Sequence, residues 1–360
     1  PFFDFIVRGE GEYTMLELCD ALEEKEKIHH VAGLSFKEDG EIFHNPDRPP
    51  INNLDELPFP ARHLLPNGRY KLHPPFGIYN PITTMEASRG CPYNCIFCCF
   101  SHAYRCRSVN RIVEEIEHVI NEYKIKEIYF VDPTFTLDEP RIVQMCDEVI
   151  ERGLKFAWTC QTRPDLVSKP LLNKMKEAGC YLISYGIESG SQEILDKLKK
   201  DTREEQIEKA ITWTREARIR SSAYLIIGSP GETVESVKKT LGLMSQIEPD
   251  YVSYSGISIL PGTKVYRDTI QNISPKNDWY ENFLFSDKTS EWPIYATPAF
   301  PRAEISKWIE QGLKEFYLNP KYWIRRLLDL KSISDAKNLV RGITLLASDH
   351  TLLKRDIIRW

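Results

Sequence analysis

The sequence predicts an α/β fold built on a parallel sheet, and three observations lead there. Six apolar runs recur along the middle of the chain, at Thr84–Ser88, Glu127–Val131, Phe156–Gln161, Tyr181–Ile187, Ala223–Ile227 and Tyr251–Ile259. Helical spacing separates them, as in Ile112, Ile116, Val119, Ile120 and Tyr123, and again in Val234, Val237, Leu241 and Met244. Gly153, Gly179 and Gly190 stand where helices should stop or turns begin. Strands alternating with helices imply βα units joined by right-handed crossovers. Periodicity alone leaves three outcomes open: a closed sheet, an open one or a partial barrel.

Ahead of this series, residues 1–45 hold a strand-like Phe2–Val7, a glycine turn at Arg8-Gly9-Glu10-Gly11-Glu12 and a helical run through Met15, Leu16, Cys19 and Leu22. One strand and one helix do not make a domain, so this piece reads as the last unit of a larger one or as a cap on the next. Residues 46–80 read as a linker, because Asn45-Pro46-Asp47-Arg48-Pro49-Pro50 and Leu57-Pro58-Phe59-Pro60 forbid regular structure. The α/β series occupies residues 81–275. Residues 276–360 open irregularly, with Trp279, Tyr280, Phe283, Phe285, Trp292, Pro293, Pro298 and Pro301, and Trp279–Phe300 is expected to help choose the substrate. Helical runs follow at Ile305–Tyr317 and Tyr322–Leu330, read as a cap on one end of the sheet rather than a membrane-binding element.

Composition narrows the function classes. Hydrophobic residues make up 42% and charged residues 28% of the 360, as in ordinary globular domains, and the net charge of -5 creates no field that favours nucleic acid. With no apolar run of bilayer length and no leader pattern, the expected place is the cytoplasm. Nine cysteines then point to metal or catalysis rather than disulfides. Cys19, Cys146, Cys160 and Cys180 are scattered and read as small buried hydrophobes; Cys146 lies in a helical stripe with Ile142, Met145, Val149 and Ile150. Cys91, Cys95, Cys98, Cys99 and Cys106 crowd together.

The crowded segment is Glu86-Ala87-Ser88-Arg89-Gly90-Cys91-Pro92-Tyr93-Asn94-Cys95-Ile96-Phe97-Cys98-Cys99-Phe100, directly after the first strand of the series. Parallel α/β sheets bind ligands beyond the carboxyl ends of their strands, so this loop lies where chemistry belongs. Thiolates spaced C-x3-C-x2-C on a short loop suit an iron–sulfur cluster. Structural zinc usually takes paired C-x2-C knuckles, and no second knuckle is visible. Cys99 or Cys106 as a fourth ligand would make the centre an electron-transfer or structural site instead.

With the aromatic Phe97 before its last cysteine, the loop resembles the signature of the radical S-adenosylmethionine (SAM) superfamily. The resemblance implies a partial (βα)6 barrel in which Cys91, Cys95 and Cys98 hold three irons of a 4Fe-4S cluster. The fourth iron would take the amino and carboxylate groups of SAM, whose reductive cleavage releases a 5′-deoxyadenosyl radical. An open iron is the chemical point: a saturated cluster passes electrons but cannot hold the sulfonium it must cleave. By the same resemblance Phe97 packs near the adenine. The turn Val131-Asp132-Pro133-Thr134-Phe135 after the second strand receives the methionyl amino group, with Asp132 and Thr134 as contacts. Arg163 follows the third strand, Gly186 and Glu188 end the fourth near the ribose and carboxylate, and Ile227 ends the fifth near the adenine. Read from the residues alone, Arg163 and Glu188 form an ion pair at the sheet rim. Gly228, Gly231 and Gly262 are then turn glycines, and Glu232 suits a helix N-terminus.

The N-terminal Arg8–Glu12 turn and Asn53–Ala61 resemble the junction that follows a Rossmann-like cobalamin domain in the cobalamin-associated branch, which includes radical methyltransferases and anaerobic magnesium-protoporphyrin ester cyclases. Only the last strand and helix of such a domain are expected in 1–45. The Asp-x-His-x-x-Gly signature is absent and His29 and His30 lack its context, so cobalamin is expected only with a domain outside this chain. The resemblance implies a small-molecule substrate, methylated or cyclised, and a reducing partner such as flavodoxin or ferredoxin. A transfer-RNA methylthiotransferase is the remaining alternative, disfavoured by a helical tail and an acidic balance.

Overall fold

Asp39 and Gly40 turn the chain back on itself near the N-terminus, and a sheet forms there that the strand pattern did not predict. The computed structural model describes residues 3–24, 28–70, 77–100, 103–270, 296–297 and 300–328. It divides into two units, Pro1–Pro58 and Phe59–Trp360. In the first, β1 (Phe5–Val7) is followed by α1 (Glu12–Glu23), β2 (Leu34–Glu38) and β3 (Glu41–His44). All three strands pair antiparallel, in the order β1-β2-β3. Both turn residues have positive φ, 49° at Asp39 and 88° at Gly40, as the two-residue hairpin with matching twist requires. Leu18, Ala21, Val31, Leu34 and Phe36 form this unit's own core. Arg8 fastens the hairpin by reaching the Leu34 and Asn45 carbonyls, Ser35 and Asp47. The unit is therefore three strands and a helix, not the single strand and helix expected. His29 lies in a short turn, paired with Glu38 at 2.8 Å.

The second unit holds the α/β series: β4 (Ile82–Met85), β5 (Ser88–Arg89), β6 (Arg105–Cys106), α2 (Val109–Tyr123), β7 (Glu127–Phe130), α3 (Glu139–Glu151), β8 (Ala157–Thr162), α4 (Lys169–Glu177), β9 (Cys180–Glu188), α5 (Gln192–Lys197), α6 (Glu204–Glu216), β10 (Arg220–Ile227), α7 (Val234–Ile247), β11 (Tyr251–Gly256) and α8 (Lys264–Ile270). Six of these strands form one sheet in the order β4-β7-β8-β9-β10-β11, every pair parallel. Because order in space follows order in sequence, each right-handed crossover steps the same way and leaves its helix on the same face. That face carries the core, where Ile112, Ile116, Ile142, Met145, Leu171 and Ile207 of the helices meet Ile128, Trp158, Ile183 and Leu225 of the strands. Among the described residues α2, α3, α4, α6 and α7 all pack on that face, while α5 and α8 reach the rim of the opposite one, the concave side of a partial barrel.

Helix starts follow from side-chain caps: Ser108, Asp138, Ser168 and Thr233 each accept a first-turn backbone N–H. At Gly179, which ends the turn after α4, φ is 100° and a Cβ would lie 2.3 Å from the Phe156 carbonyl oxygen, so only glycine fits. Phe59, at the start of this unit, lies beneath the Arg111 guanidinium at 3.8 Å. The buried Glu115 on α2 pairs with Arg62 at 2.7 Å and Arg107 at 2.5 Å. Residues 59–64, expected as linker, are thus bound to the first helix of the series.

Two strand ends shift inward by three residues. The first strand stops at Met85 rather than Ser88, because Ser88 and Arg89 leave the sheet to pair antiparallel with Arg105 and Cys106. The last ends at Gly256 rather than Ile259. The C-terminal helices are α9 (Arg302–Tyr317) and α10 (Pro320–Leu328). Among the described residues they meet the sheet at its β11 edge: the Tyr317 hydroxyl donates to the Val252 carbonyl at 2.9 Å and accepts its N–H at 3.0 Å. Gly312 allows α9 this approach, since a Cβ there would meet Leu241 at 2.8 Å and Tyr254 at 3.0 Å. The stretch Trp279–Phe300, expected to help choose the substrate, lies outside the described residues except at residues 296–297 and 300. Among the described residues no helix is long and apolar enough to cross a membrane.

Candidate active site

The cysteine loop rises from the β5–β6 ladder, and buried groups clamp its base. Asp132, fully buried after β7, accepts the Ala87 N–H at 3.0 Å and the Ser88 hydroxyl at 2.5 Å. Burial pushes its carboxyl up to about 6 against those two bonds and the nearby Arg141. The Ala87 carbonyl takes the Arg107 N–H at 3.0 Å and the Arg141 guanidinium at 3.3 Å. Every polar backbone group of Ala87 is thereby paired.

Ile96 fixes the middle of the loop. Its N–H donates to the Leu198 carbonyl at 3.1 Å, and its carbonyl accepts the Val265 N–H at 3.1 Å. Its side chain is buried among Ile194, Leu198, Ile226, Ile257 and Val265, and Phe97 packs against the same cluster. The residues between Cys95 and Cys98 are therefore stitched to the segments that follow β9 and β11. A tight turn, Cys98 N–H to Cys95 carbonyl at 3.1 Å, brings those two cysteines to one side.

Cys91, Cys95 and Cys98 are half-buried and free of disulfides, whereas Cys99 is exposed. The Cys91 sulfur lies 3.2 Å from the hydroxyl of buried Thr134. Burial pushes the Cys95 and Cys98 thiols up; Lys200 and then Arg163 pull Cys95 back, and the Phe100 N–H does the same for Cys98. Cys106 sits in the ladder at the base, against the Tyr104 hydroxyl. Among the described residues no three His, Cys, Asp or Glu side chains close on a single ion position. A cube of four irons takes one thiolate per iron, so its ligands stand wider apart than the ligands of one ion.

Beside the loop lies a buried polar network. The Arg163 guanidinium stacks on the Tyr93 ring at 3.6 Å and pairs with Asp165 at 3.0 and 3.1 Å. It also donates to Thr202 at 3.1 Å and to the Lys200 carbonyl. Lys200, 5% exposed, pairs with Glu188 at 2.9 Å. The ion pair expected between Arg163 and Glu188 is therefore two separate pairs, because each has a nearer partner of its own. Gly186 makes room for one of them, since a Cβ there would lie 2.6 Å from Glu188 and 3.0 Å from Lys200.

A family model described as the radical SAM superfamily matches residues 85–244. An uncharacterized methyltransferase of Pyrococcus horikoshii is 34% identical over 95% of this chain and 73% of its own length. The chain belongs to the radical SAM superfamily. An anaerobic magnesium-protoporphyrin IX monomethyl ester cyclase of Cereibacter sphaeroides is 31% identical over 88% of this chain. The chain spans only 52% of that relative. Among solved structures, the radical SAM methyltransferase TsrM from Kitasatospora setae superposes with a TM-score of 0.67 at 16% identity, over 88% of this chain and 67% of that one. The cobalamin-dependent radical SAM enzyme OxsB gives 0.68 at 22%, over 97% and 56%. These two share the fold, the partial barrel that the strand order already indicates. Methyltransferase and cyclase relatives support a radical SAM enzyme over an electron-transfer centre or a methylthiotransferase.

A radical SAM enzyme uses a 4Fe-4S cluster and SAM, and two observations fit them here. Three free, half-buried thiols share one anchored loop. Arg163, 4% exposed beside that loop, keeps one terminal nitrogen, Nη1, buried and without a partner among the described residues, a donor suited to an anionic group. The expected contacts divide accordingly. Thr134 and Arg163 lie beside the cysteines, whereas Asp132 is committed to Ala87 and Ser88, and Glu188 to Lys200. Ile227 points into the helix-side core, so its side chain faces away from the site. Sequence reasoning missed Tyr93 and Lys200. Tyr93 lies inside the cysteine loop, while Lys200, in Lys199-Lys200-Asp201, looks like a solvated charge run. Positive φ at Lys199 and Asp201, 53° each, accompanies its turn inward.

Proposed function

We propose that Cys91, Cys95 and Cys98 hold the 4Fe-4S cluster and that the chain directs reductive cleavage of SAM to methylation or ring closure of a small molecule. The observation that carries this is the anchoring of one three-thiol loop, through Ile96, to the segments after the fourth and sixth strands of the sheet. Bound there, a cluster would supply the electron for reductive cleavage of SAM. The chain's residues do the rest. Asp132, Arg107 and Arg141 set the loop's base, Ile96 and Phe97 form an apolar floor, and Thr134 stands at Cys91. The unpartnered Arg163 nitrogen offers a charge-assisted hydrogen bond to an anionic cofactor group. A low-potential one-electron donor of the flavodoxin or ferredoxin kind would reduce the cluster in the cell. Cobalamin, recorded for OxsB and TsrM, is proposed only with a domain outside this chain.

Anaerobic reconstitution with iron and sulfide, then dithionite and SAM, tests the reading. We expect about four irons per chain and 5′-deoxyadenosine or S-adenosylhomocysteine as product. Replacing any of the three cysteines with alanine should abolish SAM cleavage, while Cys99→Ala should not. A variant with all three replaced that still binds a full iron complement would refute it.

A further inference from the structure

The alternation of the strands sorts their residues into two sets. Ile128, Phe130, Trp158, Cys160, Leu225 and Tyr254 enter the helix-side core. Their neighbours Tyr129, Thr159, Gln161, Ser184, Tyr224 and Ser253 therefore face the concave side. Register aligns Tyr129 with Thr159, Gln161 with Ser184 and Tyr224 with Ser253, so these side chains form one patch across five strands. The Tyr129 hydroxyl donates to the Gln161 amide oxygen at 3.4 Å, whereas the fully buried Ser184 hydroxyl has no hydrogen-bond partner among the described residues. Tyr129 and Tyr224 stand on strands with two others between them, yet each lies within electrostatic reach of the other.

Two further observations give the patch a role. The Thr159 hydroxyl is fully buried and has no hydrogen-bond partner among the described residues, an orphan that a ligand or a water must satisfy. Ile226, the next concave-side residue after Tyr224, packs in the same cluster as Ile96 and Phe97, so the patch begins directly below the cysteine loop. Among the described residues of these strands, no charged side chain faces the patch between Glu127 and Arg220 at the base and Glu188 at the rim. Glu127 is already committed to the Gly77 and Tyr79 amides and the Tyr181 hydroxyl, as Glu188 is to Lys200.

We propose that this face receives the reacting end of a neutral, hydrogen-bonding substrate, an amide, alcohol or uncharged heterocycle, held by Tyr129, Gln161, Ser184 and Tyr224. The inference rests on the radical SAM reading above and names its substrate class. A charged group buried here would meet no counter-charge, and an apolar one would leave several hydroxyls unpaired; both are costly.

A matched set of probes tests it: benzamide, benzoate and benzylamine, presented near neutral pH to the reconstituted chain and read by saturation-transfer NMR. Benzamide should bind roughly tenfold tighter than either charged probe. The double variant Gln161→Leu with Tyr224→Phe should abolish that preference. Gln161→Glu, which adds charge at nearly constant volume, should shift the preference toward benzylamine and covers the case in which the double variant misfolds. A charged probe binding as tightly as benzamide, no saturable benzamide binding, or benzamide binding indifferent to these variants would each overturn the proposal. SAM cleavage measured on the same preparation separates the two readings. Cleavage with the wrong charge preference sinks only the substrate class, whereas the right preference without cleavage sinks the radical reading alone.

Discussion

Arg163 shows how one buried side chain joins parts far apart in sequence. It holds Tyr93 of the cysteine loop by its face and Asp165, Thr202 and the Lys200 carbonyl by its edge. Removing one member of a buried ion pair leaves the other uncompensated, typically at about 3–5 kcal/mol. Arg163→Gln should therefore lower the urea unfolding free energy by about that much. Tyr93→Phe, which keeps the ring under the guanidinium, should cost less than about 1 kcal/mol, whereas Tyr93→Leu should lose the stacking and loosen iron binding. Equal iron retention in the two Tyr93 variants would show that the ring does not position the loop. Asp132 makes a different prediction, because its carboxyl rises from 3.8 to about 6 on folding. Between about pH 4 and 6 the folded chain keeps a proton that the unfolded chain has released. The group's contribution is then fully present below about pH 4, falls as pH rises through that window, and is lost above it, on the order of 2–3 kcal/mol. Asp132→Asn should remove this segment from the pH dependence of unfolding, and an unchanged profile would show that the carboxyl is not the titrating group.

At the scale of the element, one hydroxyl covers both backbone groups of a residue on the sheet's edge. Tyr317 serves both the N–H and the carbonyl of Val252 on β11, an edge strand that would otherwise present them unpaired. Tyr317→Phe should cost about 2–3 kcal/mol and speed amide exchange at Val252, whereas protection equal to the parent's would show that α9 is not what guards the edge. The six strands were legible in sequence because each carries a β-branched or aromatic run and its following helix a clean stripe. The hairpin β2–β3 also carries its signal in sequence, Asp39-Gly40 between Ser35-Phe36 and Ile42-Phe43. The cysteine spacing was legible for a related reason, since it is local. The partners of Arg163 and Glu188 were not, because both choices depend on Lys200 turning inward, which only the folded path of residues 198–202 decides. Asp132 illustrates the same limit: as a residue at a strand end it reads as a ligand contact, and only the position of Ala87 and Ser88 shows it spent on the loop's base.

For the whole molecule, sequential strand order divides labour between the two faces of one sheet. All crossovers step the same way, so one face takes the main core with α2, α3, α4, α6 and α7, while the other keeps a polar patch below the apolar cluster around Ile96. Stability and substrate contact should therefore be separable at adjacent positions of a single strand. Leu225 on β10 is buried in the helix-side core, and Tyr224 before it belongs to the concave patch. Leu225→Ala should lower the unfolding free energy by about 2–5 kcal/mol through lost contacts and a cavity. Tyr224→Phe removes one hydroxyl and little volume, so its cost should stay near 1 kcal/mol. At temperatures where both variants are folded the order should reverse for binding: Tyr224→Phe should weaken benzamide severalfold and Leu225→Ala should leave it nearly unchanged. Urea unfolding beside probe titration measures both quantities on the same two proteins. If the two variants instead lose stability and binding in proportion, the faces are energetically coupled and the sheet is not a partition between scaffold and site.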